Sequence, residues 1–261
     1  LSMTRYHLIA DLHTHTLAST HAYSSLTEMV QAAANKGLSA IAVTDHAVSM
    51  PGAPKPEEFY FSCLRELPLY HRGVMTIVGI EANIMDFEGT LDVSEAEFER
   101  LDWGVASIHH LGQAGLEEPN VEKSTHLWLQ VAKNPHINVI AHSGDPLFAY
   151  DVEKVIPAFG ENHKLVEINN HTFEARKQNA ENCKKIALAC KKYGVPIVVD
   201  SDAHFETKVG EFGFALRMLE EIDFPEELIL NASEERLQAY LREHTHIFTN
   251  RTYLGEGEHR P

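Results

Sequence analysis

The chain has 261 residues and a formal net charge of −16, from 22 Lys plus Arg against 38 Asp plus Glu. At 44% apolar and 23% charged residues it has a globular composition, which excludes a disordered chain. The acidic balance argues against long nucleic acid as a partner, and no apolar run approaches the ~20 residues that span a bilayer. The N-terminal stretch lacks the charged start, long apolar region and cleavage site of a signal peptide. A cytoplasmic protein with no membrane partner is expected, and a homo-oligomer is left open.

Strand-like and helix-like segments alternate. Residues 6–12 (YHLIADL) read as the first strand. Residues 25–36 read as a helix: Ser25 and Glu28 have capping-box spacing, Leu26, Met29, Val30 and Ala33 share a face, and Gly37 ends it. Residues 38–44 form the second strand, and 50–57 are a proline-rich loop leading to a short helix. The third strand is 74–80, followed by a small hairpin at 83–93 and a short helix at 94–100. The fourth strand (103–108) precedes a helix at 122–133, and the fifth (137–141) precedes one at 151–162 despite Pro157. The sixth (165–169) is followed by a long helix at 174–193, then the seventh strand at 195–199. Helices at 211–222 and 233–243 complete the domain. The tail 244–261 has no clear period, and its end, GEGEHRP, reads as mobile.

Repeated βα units with nearly continuous apolar strands imply a parallel sheet with helices outside. Seven units in this length predict one closed α/β barrel over residues 1–243. An open doubly wound sheet is the alternative. No G-x-G-x-x-G follows the first strand, so a dinucleotide site has no support. Cys63, Cys183 and Cys190 fit neither a disulfide framework nor a zinc knuckle; Cys183 and Cys190, seven apart, read as buried small hydrophobes.

The unusual number is 17 histidines. The first strand ends in Asp11-Leu12-His13-Thr14-His15, and alternation puts His13 and His15 on one side. His21 follows in STHAYS, and the second strand ends in Thr44-Asp45-His46. Glu81 follows the third strand, His109-His110 the fourth, His142 the fifth, and Asp202 and His204 the seventh. Taken singly, each is an ordinary polar cap on a loop. Together they share the C-terminal rim of a parallel barrel, where active sites are built. That convergence predicts a multinuclear metal site. The other histidines, including His7, His71, His126, His136, His163, His244, His246 and His259, follow no such rule and are expected to face solvent.

DLHTHT, TDH, GIEAN, the strand-end His109, AHSGDP, EINN and SDAH resemble, in order, the motifs of the PHP (polymerase and histidinol phosphatase) superfamily. The resemblance runs from about residue 6 to 240 and is nearest to small stand-alone YcdX-type phosphatases. It implies a distorted (β/α)7 TIM-like barrel holding three divalent transition metals, with Zn favoured over Mn or Fe. Carried over by position, His13, His15, Glu81 and Asp202 hold one metal. Glu81 bridges to a second, completed by His109 and His142, while His21, His46 and His204 hold the third. His110 departs from related sequences, which often carry an acidic or apolar residue there.

Such imidazole and carboxylate sites suit Zn, Mn, Fe or Co rather than Ca or Mg. Three divalent ions and two carboxylates leave the site at about +4, which favours a small anionic substrate over the acidic surface. The implied reaction is phosphomonoester hydrolysis by a metal-bound hydroxide, with no triad around Ser143 or Ser201. Glu81 and Asp202 belong to this catalytic set, Arg176 is expected against the phosphate, and His171 as donor to the leaving group. Asp11 and Asp45 either orient the imidazoles or cap strand-end turns. Two narrower alternatives are a PHP nuclease or phosphodiesterase acting on a nucleotide, and a histidinol-phosphate phosphatase. A metal-binding module without turnover should have lost ligands, and all nine are present; no C-x-x-C-H supports haem.

Overall fold

The computed structural model describes residues 5–251. Its strands are β1 (Ala10–Thr14), β2 (Ala40–Val43), β3 (Tyr70–His71), β4 (Val74–Asn83), β5 (Trp103–Ser107), β6 (Val139–Ile140), β7 (Leu165–Asn169) and β8 (Ile197–Asp200). The helices are α1 (Leu26–Asn35), α2 (Tyr60–Cys63), α3 (Glu95–Phe98), α4 (Val121–Ala132), α5 (Val152–Glu161), α6 (Thr172–Ala175), α7 (Ala180–Tyr193), α8 (Gly213–Glu221), α9 (Glu234–His244) and α10 (Ile247–Asn250). Seven strands run parallel in the order β1-β2-β4-β5-β6-β7-β8, and β3 pairs antiparallel with β4. This is the expected seven-stranded barrel, nearly closed, in a single domain.

Local chemistry explains most boundaries. Ser25 caps α1 by accepting from Glu28 N while Glu28 returns the bond, and Gly37 supplies the left-handed turn at its end (φ +73°). Asn120 and Asp151 cap α4 and α5 by accepting from Lys123 N and Glu153 N, without a return bond. The hairpin expected at 83–93 is reduced to one antiparallel bridge, Ile84 to Leu91. Two expectations need correction. The first strand starts at Ala10 rather than residue 6, because Ile9 N bonds Asn231 O instead of a neighbouring strand. The helix expected over 174–193 is broken: Arg176 leaves helical geometry (φ −123°, ψ 49°) between α6 and the turn leading to α7. That break aims the Arg176 side chain at Asp202, in the loop after β8.

Buried apolar residues form two clusters. The larger lies between the strands and the helices, and includes Val78, Ile140, Val166, Phe159 and Leu219. The smaller fills the barrel interior with Leu12, Ala42, Ile77, Val105, Val139, Leu165 and Val198. In β4, β5, β7 and β8 these interior residues alternate into the polar positions of the C-terminal rim, such as Ile77 into Glu81 and Val198 into Asp202. In β1 the phase changes. Asp11 pairs with Ile41 but Thr14 pairs with Val43, so one extra residue is inserted. This bulge lets Leu12 join the interior cluster and still turns His13 and His15 inward.

The gap between β1 and β8 is closed by a side chain. Asn231 Nδ2 donates to Ala10 O (2.8 Å) and Val199 O (2.7 Å), and its Oδ1 accepts from Val199 N (3.1 Å). The amide thus stands in for the missing strand contacts near the floor. Closer to the rim, His15 N reaches Ala203 O directly at 2.8 Å.

Residues 245–251, the start of the aperiodic stretch, also dock on the barrel. Ile247 joins the interior cluster, and Arg251 is buried against Asp102 (2.7 Å), Thr76 O, Leu67 O and Pro68 O. Its anchoring depends on polar satisfaction, which hydrophobic periodicity does not register. His259 and the expected mobile GEGEHRP end lie outside the described residues. No described helix is long and apolar enough to cross a membrane.

Replacing Asn231 with Ala leaves buried groups on both strands unpaired, at ~1–3 kcal/mol each. Urea unfolding should show Asn231→Ala less stable by about 3 kcal/mol. An unchanged midpoint would show that the seam does not need this amide.

Candidate metal centre

The C-terminal ends of the strands bring all nine expected ligands to one side of the barrel. Pairing between β2 and β4 continues past the strand as a bridge from His46 to Glu81, which sets them side by side. Glu81 is fully buried, and its two oxygens face different neighbours. Oε2 lies 3.3 Å from His13 Nε2 and 3.4 Å from His15 Nε2; Oε1 lies 3.0 Å from His142 Nε2 and 3.6 Å from His109 Nε2. Asp202 Oδ1 sits 3.3 Å from His15 Nε2 and 3.7 Å from His13 Nε2, and those two nitrogens are 3.2 Å apart. A tetrahedron with ligand bonds of ~2.0–2.1 Å has edges of about 3.4 Å. His13, His15 and Glu81 therefore have the mutual spacing of one metal's ligands, and Asp202 Oδ1 keeps a similar distance to both imidazoles.

A second observation agrees. Glu81 Oε2 and His46 Nδ1 are buried without hydrogen-bond partners, although only 2.9 Å apart. Buried unpaired polar atoms are rare and need an explanation. Lone pairs kept for cations in the cluster supply one. Further out, His21 Nε2 and His46 Nε2 approach to 3.2 Å, and the His204 ring stacks on those of His21 (4.8 Å) and His15 (4.3 Å).

Among the described residues, three groups of side chains offer ligand atoms within 4.8 Å of one another: His13-His15-Glu81, His46-Glu81-His109, and His15-His46-His204. These groups overlap more than the division implied by resemblance. His46 is the reason, with Nδ1 beside Glu81 and Nε2 beside His21.

The electrostatics prepare these groups for a cation. Burial, reinforced by neighbouring imidazoles, holds His15 well below the usual histidine range and lowers His21. Burial likewise lowers His109 to about 3. Burial would raise Glu81 and Asp202, but the surrounding imidazoles, with Arg176 at Asp202, outweigh it and hold both well below the carboxylate range. Neutral imidazoles and ionised carboxylates are what metal binding needs. His13 is the exception. Burial opposes its charge, yet Glu167, Glu81 and Asp202 raise it well above 6.5.

Glu167 was not singled out as a site residue. It accepts from His13 Nδ1 (2.6 Å) and from His142 N (2.8 Å), so one carboxylate fixes residues from two strands. An acid within the apolar run LVEIN was its sequence signal, and the structure buries it. Asn83 Oδ1 holds His109 Nδ1 at 2.7 Å and is itself fixed by Asp92. His142 (φ 31°) and Asp202 (φ 55°) occupy the left-handed region, a strain the surrounding contacts sustain.

Asp11 and Asp45 touch no imidazole. Asp11 accepts from Ser201 N, Ser201 Oγ and Gly210 N, which ties β1 to the loop after β8. Asp45 collects Thr16 N, Thr16 Oγ1, Ser19 Oγ and the Tyr60 hydroxyl. Ser19 Oγ also accepts from the His46 backbone N–H and lies 3.4 Å from His15 Nδ1, so Asp45 reaches one imidazole through this serine. Arg176 Nη2 donates to Asp202 Oδ2 at 2.8 Å, and its Nη1 is buried with no partner. His171 is half-buried, and His110 is exposed, bound to Asp145 at 2.6 Å. Of the remaining described histidines, His7, His126, His163 and His246 are exposed as expected, while His71, His136 and His244 are half-buried. A cleft of about 430 Å³ opens over the group, lined by His21, His46, His109, His171, Arg176, Asp202 and His204.

A family profile described as the PHP domain matches residues 11–171. The chain belongs to this family. A relative from Acetivibrio thermocellus named "Probable phosphatase" is 44% identical over 234 residues, covering 90% of this chain and 95% of the relative. Another of that name from Clostridium botulinum is 41% identical over 234 residues, covering 90% and 94%. Among solved structures, histidinol phosphate phosphatase from Lactococcus lactis, complexed with zinc, L-histidinol and phosphate, superposes with a TM-score of 0.56. It covers 86% of this chain and 93% of its own, and at 16% identity this likeness concerns the fold.

The Tyr60 hydroxyl reaches Asp45 at 2.6 Å, and burial plus that carboxylate raise its pKa above the usual range. A hydrogen bond to a charged group is worth ~1.5–3 kcal/mol. Tyr60→Phe should therefore lose about 2 kcal/mol in chemical denaturation. It should also speed proteolysis in residues 47–66. Wild-type values on both counts would mean α2 does not depend on Asp45.

Proposed function

We propose that this PHP protein hydrolyses small phosphomonoesters at a trinuclear transition-metal site on the barrel rim. The observation that carries this reading is Glu81, whose two oxygens divide between the His13-His15 pair and the His109-His142 pair beneath an open cleft. His13, His15, Glu81 and Asp202 would hold the first metal. Glu81, His109 and His142 would hold the second, and His21, His46 and His204 the third. Zinc suits this donor set, as do manganese and iron. The names of the relatives and the ligands of the Lactococcus enzyme support the same chemistry.

Divalent ions at such a site lower the pKa of water and neutralise charge on phosphate oxygens. The chain's own residues do the rest. Arg176, braced on Asp202, has a free Nη1 to donate to a phosphate oxygen. Glu167 and Asn83 hold His13 and His109 in fixed orientations. His171 lines the cleft beside the His204 ring, at 6.5 Å, where its ring N–H would hydrogen-bond the leaving oxygen, whose proton comes from water. Burial keeps its pKa below the usual range.

Elemental analysis of protein reconstituted with zinc, manganese or iron should find about three ions per chain. The same sample should hydrolyse p-nitrophenyl phosphate faster than its bis-ester. Preferential diester turnover, or no metal uptake, would overturn the proposal. Glu81→Ala should lose two ions and His46→Ala one, so equal losses would exclude the bridging role of Glu81.

Metal uptake should also release protons. His13, raised above 6.5, stabilises the metal-free fold fully below pH 6.5, and that contribution is lost as pH rises through its folded value. A metal must displace the same proton. Calorimetry in buffers of different ionisation enthalpy at pH 7 should show about one proton released through His13. Glu167→Gln should reduce that release and cost ~10–100-fold in metal affinity. Proton-neutral uptake would contradict the coupling.

A further inference from the structure

The cleft that holds the proposed chemistry has a mouth of different character from its floor. Tyr23 stands two residues after His21, and Phe205 directly follows His204. Tyr23 N donates to His204 O at 2.9 Å, which locks the two loops together. The His21 and His204 rings stack at 4.8 Å, so both aromatics border the outermost imidazoles. Tyr23 is 70% exposed and Phe205 44% exposed, and both line the cleft beside Met50. Large aromatic surface left uncovered at a cleft is a mark of ligand contact.

The wall beyond carries charge that is already matched. Glu174 pairs with Lys208 at 3.1 Å, and Glu211 with Lys36 at 2.5 Å. That wall therefore offers no uncompensated charge for a second phosphate or an ammonium group. The floor is closed by buried Glu81 and Asp202. A phosphate at the Arg176 end must send its ester substituent outward, past the aromatics. Resting on the phosphatase reading, we infer that Tyr23 and Phe205 form a subsite for a planar ring on the leaving alcohol, so that the preferred substrates are ring-bearing phosphomonoesters.

Benzyl phosphate and ethyl phosphate both release a primary alkoxide and differ mainly in the ring. On metal-loaded enzyme, the benzyl-to-ethyl ratio of kcat/KM should fall about tenfold in Tyr23→Ala and in Phe205→Ala. Tyr23→Phe, which keeps the ring, should hold the wild-type ratio. An unchanged ratio in both alanine variants would overturn the subsite. Calorimetric binding of phenylphosphonate and methylphosphonate to the same proteins needs no turnover. Phenylphosphonate should bind about tenfold more tightly to wild type and lose that advantage in Tyr23→Ala. Equal affinities in wild type would overturn the inference, even if the esters are hydrolysed. If neither ester is hydrolysed, the phosphatase reading fails, while the phosphonate comparison still decides whether a ring is held.

Discussion

Glu81 has no solvent contact, yet five imidazoles approach its oxygens within 3.6 Å. Burying so many ionisable groups is costly unless each charge is matched. The upper half of the barrel is organised around that requirement. Glu167 braces His13, Asn83 braces His109, and Asp45 gathers the loops after β1 and β2. The turns that carry His142 and Asp202 accept left-handed backbone at those two residues. The rim gives up backbone comfort to satisfy one cluster of charge.

The lower half serves stability. Leu12, Ile77, Val105 and Val198 fill the interior with apolar side chains, and Trp103 donates its indole N–H to Leu12 O. At the floor Arg251 is satisfied by Asp102 and four further contacts to three backbone carbonyls. Each interior strand position thus belongs to one of two regimes, depending on its height in the barrel. This division lets the loops carry the chemistry while the apolar plug resists their strain.

Much of this was legible in the sequence. Strand-end His, Asp and Glu residues named the rim because a parallel barrel forces every strand's C-terminal end to one side. The strand count and the α1 capping box were readable for equally local reasons. Other features depended on distant partners. The β1 bulge exists because Asp11 and Thr14 find register with β2, which no pattern within β1 encodes. The break at Arg176 runs against helix propensity on both sides, and its partner Asp202 lies 26 residues away. Glu167 was visible as an acid in an apolar strand, but its role needed the positions of His13 and His142.

The side-chain closure between β1 and β8 bears on how the chain folds as it is made. Asn231 meets Ala10 across 221 residues of sequence, near the limit of what this chain allows. Six of the seven joints around the ring can form between neighbours in order of synthesis, but the last cannot. Until residue 231 leaves the ribosome, β1 presents an unpaired edge next to a cluster of ionisable side chains that no metal yet holds together. An unsealed parallel edge is an opening for wrong pairing. Ring closure is therefore the step at which nascent chains are most open to aggregation, and late metal capture, after the seam has formed, would convert a fragile ring into a locked one.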